Sequence, residues 1–161
     1  GLKQYRQATS ADLLLLASSS FIGTTVGGNA QLINGVTVPL GDEWVLTPQE
    51  QSAIKTATDA YNTTIAAVAS SNPNIALVDF KGVLTEASTG IKFDAYTLNT
   101  KLVTGGLVSL DGVHLTARGY ALMANKILAA MDAKFGSNFT TATNGLAKAG
   151  NYPTNYSPAL R

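Results

Sequence analysis

Residues 109–127 read SLDGVHLTARGYALMANKI and hold the only histidine of the chain, His114, three positions after Asp111. Thr116 follows as a candidate helix cap. From there Tyr120, Met123, Ile127, Ala130 and Met131 recur at spacings that put them on one side of a helix, with Gly136 as its stop. Asn125, Lys126 and Lys134 fall on the polar side. An imidazole whose ordinary pKa lies near neutrality is suited to take a proton from a hydroxyl nucleophile. A carboxylate on one ring nitrogen fixes the tautomer and stabilises the imidazolium that forms. Asp111 and His114 are therefore candidate catalytic residues, joined by a turn that the permissive backbone of Gly112 allows. Spacing alone is a weak signal: with seven aspartates in the chain, a turn-forming Asp beside a structural His is an equally good reading.

Upstream, TPQE at 47–50 marks a helix start, with Thr47 as cap, Pro48 in the first helical position and Glu50 completing a capping box. Ile54, Ala57, Tyr61, Ile65 and Val68 then give an apolar face, which predicts a helix over about 48–70. Ser71-Asn72-Pro73-Asn74 ends it, and IALVDF at 75–80 predicts a short buried strand, so helix and strand together make half of an α/β unit. Residues 10–22, with four consecutive leucines, suggest a strand or extended segment. Residues 23–44 suggest a long loop with a hairpin near Asn34-Gly35, and residues 81–108 a loop-rich stretch with one hairpin. The last 25 residues, rich in Ser, Thr, Asn, Gly and Pro, suggest a tail laid over the surface or partly disordered.

Composition narrows the partners. Eleven basic and ten acidic side chains leave a formal charge of +1, and the arginines Arg6, Arg118 and Arg161 are far apart, so nothing resembles a nucleic-acid-binding stripe. The densest apolar run, Leu13 to Ala17, is far short of the roughly 20 residues that cross a bilayer. The absence of cysteine removes disulfides and thiol catalysis, and a single His without Cys argues against zinc. The scattered Asp and Asn residues form no calcium loop, and no cofactor is implied. Trp44, the one tryptophan, reads as packing of the long loop against the core rather than as the lining of an acyl pocket.

SLDGVHLTARGYALMAN resembles the last conserved block of the GDSL or SGNH family of serine esterases and lipases, through Asp111, His114, Thr116, Gly119 and Tyr120 and the helix that follows. VPLGDEWVLTPQEQ, YNTTIAAVA, ALVDF and VTGGLVSLDGVH resemble the sequence before that block in long bacterial GDSL-type proteins, and the resemblance extends over most of residues 10–136. It implies an α/β fold: an incomplete flavodoxin-like, three-layer α/β/α sandwich with a mainly parallel sheet over 1–136, beyond which composition gives the tail at 137–161. It further implies His114 as general base, Asp111 as its orienting partner, an ester of a lipid, acylated small molecule or glycan as substrate, and an extracytoplasmic or cell-envelope location in a bacterium.

The chain departs from that family at the nucleophile and the oxyanion donors. Gly41-Asp42-Glu43-Trp44 has Glu where the family has Ser, and Gly28-Asn29 lacks the Asp that should follow. Ser18, Ser19 and Ser20 read as polar loop, and Ser109 is so near the pair that facing His114 would need a tight turn. The start, GLKQYRQATS, is no signal peptide and lacks Met, and Gly1 reads as a residue left by tag removal. The expectation is the C-terminal, base-carrying part of a larger hydrolase, inactive alone, that associates with its missing N-terminal segment or with a second copy of itself. The alternatives are a noncatalytic SGNH-like binding or structural domain at the cell envelope, and a complete small enzyme using Ser109.

Overall fold

The computed structural model describes residues 4–155. They form a mixed α/β chain with three α-helices and short, two-stranded antiparallel pairs, in two compact units that divide at Thr64. No helix among the described residues is long and apolar enough to cross a membrane.

In the first unit, β1 (Leu13–Leu14) pairs with β4 (Val45–Leu46), and β2 (Thr25–Val26) with β3 (Asn29–Ile33). The four leucines do not form one extended run: only two of them are strand, and Leu16–Ser20 turns into a 3₁₀ helix. Ser18, Ser19 and Ser20 each donate their hydroxyl to the carbonyl three residues back, and such local bonds favour a tight turn over a ladder. The hairpin turn falls at Gly27-Gly28, both at positive φ, rather than at Asn34-Gly35, where the chain makes a second, separate turn closed by Gly35 N–H on the Val38 carbonyl. Trp44 stacks on Phe21, just after the 3₁₀ helix, with ring centroids 4.4 Å apart, so the end of the long loop packs against the segment that precedes it.

α1 (Pro48–Ser71) starts as the capping box requires: Glu50 accepts from the Thr47 amide at 2.8 Å and from its hydroxyl at 2.7 Å. Its apolar stripe is not covered, however; Ile54, Tyr61, Ile65 and Val68 are all exposed. The predicted strand at 75–80 is corrected by the structure. Residues 75–79 run without a ladder partner, and Phe80 already belongs to α2 (Phe80–Thr89), whose first turn is capped by Asp79 accepting from Gly82 N–H. A strand needs a neighbouring backbone for its N–H and C=O groups, and none pairs with this run among the described residues.

The second unit holds the core. α2 buries Val83 and Ala87, one turn apart, against the hairpin of β5 (Ile91–Phe93) and β6 (Tyr96–Leu98), with Leu107 and Ala149 fully enclosed. α3 (Ala117–Phe135) adds Ala121, Leu122 and Met123. Its inward face is thus rotated from the predicted one: Met123 is buried, but Tyr120 and Ile127 face solvent. Thr116 and Gly136 bound the helix as expected, the latter at φ 69°. Every ladder is antiparallel, and parallel pairing is confined to the single bridges Asn34–Val38 and Asn99–Gly106, so the expected mainly parallel sheet does not occur among the described residues.

Candidate active site

Asp111 and His114 sit at the tip of a small hairpin between the core and α3. Ser109 N–H donates to the His114 carbonyl at 2.8 Å and Thr116 N–H to the Leu107 carbonyl at 2.9 Å, flanking the antiparallel bridge between Val108 and Leu115. The turn is closed by Gly112 N–H on the Ser109 carbonyl, with Gly112 at φ 74°, a conformation that glycine adopts at little cost. Thr116 fixes the other end. Its hydroxyl donates to the Gly106 carbonyl at 2.6 Å and accepts from Gly119 N–H at 3.0 Å, joining the hairpin base to the first turn of α3.

Within this frame one carboxylate collects four donors. Asp111 Oδ1 accepts from the Ser109 hydroxyl at 2.6 Å and from the Val113 and His114 amides at 2.9 Å, while Oδ2 meets His114 Nδ1 at 2.7 Å. The Ser109 hydroxyl, then the Val113 amide, the His114 ring and the His114 amide, hold the Asp111 carboxyl well below the usual carboxylate range, against a smaller opposing effect of burial. An ionised carboxylate only accepts, so Nδ1 carries the proton and Nε2 of the neutral ring presents its lone pair. Nε2 has no protein partner among the described residues. The pair is open to water, with the His114 side chain 70% and the Asp111 side chain 50% exposed, and its neighbours Leu110 and Val113 are also exposed.

The two residues picked out by sequence are therefore brought together, and Ser109 joins them in a role that sequence reading did not assign. Its hydroxyl is bonded to Asp111 rather than aimed at the imidazole, so it supports the pair as an Asp111 donor. The signal available for this was a serine two residues before a turn aspartate, within reach of its carboxylate. The triplet Ser18, Ser19 and Ser20 is engaged with its own backbone. Asp42–Trp44 forms a 3₁₀ turn, and Asn29 spends its side-chain oxygen on the Gln31 amide at 2.9 Å. Tyr120 points outward and is 53% exposed. Among the described residues no three His, Asp or Glu side chains gather as metal ligands.

Compared with protein-family models, with curated proteins and with solved structures, the chain shows no significant match.

Proposed function

We propose that this chain is the base-carrying part of a GDSL-type serine hydrolase that cleaves carboxyl esters through an acyl-serine intermediate. The observation that carries the reading is the preassembled pair: Asp111 holds Nδ1 of His114 at 2.7 Å, and Nε2 of this largely exposed side chain has no partner among the described residues. An imidazole so oriented removes a proton from a serine hydroxyl during attack on the ester carbonyl and returns it to the leaving alcohol; in the second half-reaction it does the same for water. The serine and the oxyanion donors come from a polypeptide segment outside these residues. His114 and Asp111 act on its hydroxyl once it is in place.

The unpaired run at 75–79 supports the same reading. Ile75 and Leu77, with Phe80 just beyond, are exposed although the segment is β-prone and apolar. Strands supplied from outside the chain would cover them, and the parallel sheet of the flavodoxin-like sandwich that the resemblance implies would have to form with those strands. Substrates of that class are esters of lipids, acylated small molecules or glycans at a bacterial envelope.

A fluorophosphonate probe tests the reading, applied to the chain alone and after addition of the polypeptide encoded directly upstream. The expected result is labelling only in the mixture, on an added serine, and its loss in His114→Ala. Labelling of a serine within the chain alone would place the nucleophile here and overturn the assignment. No labelling in a mixture shown to associate would favour the noncatalytic alternative.

A further inference from the structure

The C-terminal stretch beyond α3 is tied to the second unit at successive points. Asn125 makes two bonds to Ala147, donating to its carbonyl and accepting from its amide, each at 2.9 Å. Asp94 accepts from Ala149 N–H at 2.7 Å, and Ala149 itself is enclosed in the core. Arg118 lies over the Tyr96 ring and donates through Nε to the Tyr152 carbonyl at 3.0 Å and through its amide to the Pro153 carbonyl at 3.1 Å. The strap ends, among the described residues, with Asn155 Nδ2 donating to the Val108 carbonyl at 2.9 Å.

That last bond lands on the hairpin that carries the Asp111–His114 pair. The two bonds flanking the Val108–Leu115 bridge use the carbonyls of Leu107 and His114, so the Val108 carbonyl points to the open edge of the hairpin. A two-stranded ribbon is marginal by itself, and Val108 is followed directly by Ser109, which makes the first bonds of the Asp111 turn. We propose that Asn155 is a positioning residue for the catalytic pair: by capping the Val108 carbonyl it holds the open edge of the hairpin, and so keeps Ser109, Asp111 and His114 in their mutual geometry. The proposal rests on the reading of Asp111 and His114 as a general-base pair, but its structural content can be measured without any serine nucleophile.

The test uses the full ¹⁵N-labelled chain and its Asn155→Ala and Asn155→Asp variants. It follows amide exchange at Ser109 and Thr116, with Leu122 and Met123 as core references, and the His114 Nδ1–H resonance. Loss of one such hydrogen bond corresponds to roughly a fivefold change in a local opening equilibrium. The expected result in Asn155→Ala is about fivefold faster exchange at Ser109 and Thr116, unchanged exchange at Leu122 and Met123, and broadening or loss of the Nδ1–H signal. Asn155→Asp, which sets a carboxylate against a carbonyl oxygen at nearly constant volume, should do at least as much. Unchanged hairpin exchange and Nδ1–H signal overturn the proposal. So does acceleration spread evenly over hairpin and core in both variants, since Asn155 would then support the fold and not the pair. Neither result bears on whether a serine is labelled in the completed hydrolase, so the two failures remain distinguishable.

Discussion

Gly119 approaches Leu107 so closely that a Cβ on it would stand 2.4 Å from the Leu107 carbonyl oxygen. That oxygen already accepts from Thr116 N–H, so it is held by the hairpin that carries Asp111 and His114 and has little freedom to retreat. Helix propensity favours Ala over Gly by about 1 kcal/mol in a helix interior. Overpacking against fixed backbone costs about 1–3 kcal/mol, and here it should prevail. Gly119→Ala is expected to lower the denaturation midpoint and to disturb the His114 resonances. A variant as stable as the parent, with those resonances in place, would show that α3 can shift away without cost to the hairpin.

Ser109 supplies the first and strongest influence on Asp111. In Ser109→Ala the carboxylate keeps the two amides and the imidazole but loses the hydroxyl at 2.6 Å, so its pKa should move up toward the ordinary range. On the proposed hydrolase reading, loss of one hydrogen bond to a charged carboxylate should reduce kcat/KM by roughly tenfold, less than loss of the proposed base, which would remove most of the acceleration. A carboxyl-carbon titration by NMR reads the first effect and steady-state kinetics the second. Abolition of activity by this change, together with probe labelling of Ser109 in the parent, would make Ser109 the nucleophile.

How much of this was legible in the sequence depended on how local the forces are. Thr47 with Glu50, and Thr116 with Gly136, bound their helices through contacts within one turn, and both helices lie where those residues predict. The Asp111–His114 bond is equally local, closed by Gly112. α2 was missed because Gly82 and two threonines weaken its propensity, while its stability comes from burying Val83 and Ala87 against β5, a tertiary effect. The run at 75–80 failed for the opposite reason: its composition suits a strand, but pairing is not local, and no partner lies within the described chain. Asn155 gave no signal because its partner, Val108, is 47 residues away.

Asp132 shows how acid should act on the second unit. Burial works to raise its pKa, as does its place in the last turn of α3, where the helix dipole disfavours an anion. The Ser137 hydroxyl, the Thr140 amide and hydroxyl, and the Phe139 amide outweigh this and hold it well below the usual carboxylate range. A carboxyl whose folded pKa lies below its unfolded value contributes stability that is present above the unfolded pKa, about 3.9, and is lost as pH falls below that toward the folded value. Asp111 has the same sign. The thermal midpoint should therefore be nearly flat from neutrality to about pH 5 and fall below about pH 4. Asp132→Asn, which leaves several donors unsatisfied, should lower the midpoint at pH 7 and make the acid decline shallower. An unchanged acid slope in the variant would assign the decline to other groups.

Leu77 lies in the middle of the unpaired run and is 46% exposed, beside Ile75 at 36%. The amides of Ala76, Leu77 and Val78 have no partner among the described residues, and the side chains around them are apolar. An apolar segment with open backbone edges recruits a further strand when one is within reach. The formal charge of +1 offers little repulsion between copies. At tens of micromolar the chain alone should therefore sediment as a dimer or larger species, and Leu77→Asp should shift it toward monomer by charging the contact. On the proposed reading, adding the polypeptide encoded upstream should do the same to the unmodified chain by covering the run. A chain that sediments as a monomer at every concentration, with amide exchange at 76–78 as fast as in an unstructured peptide, would mean that this run is surface loop and recruits nothing.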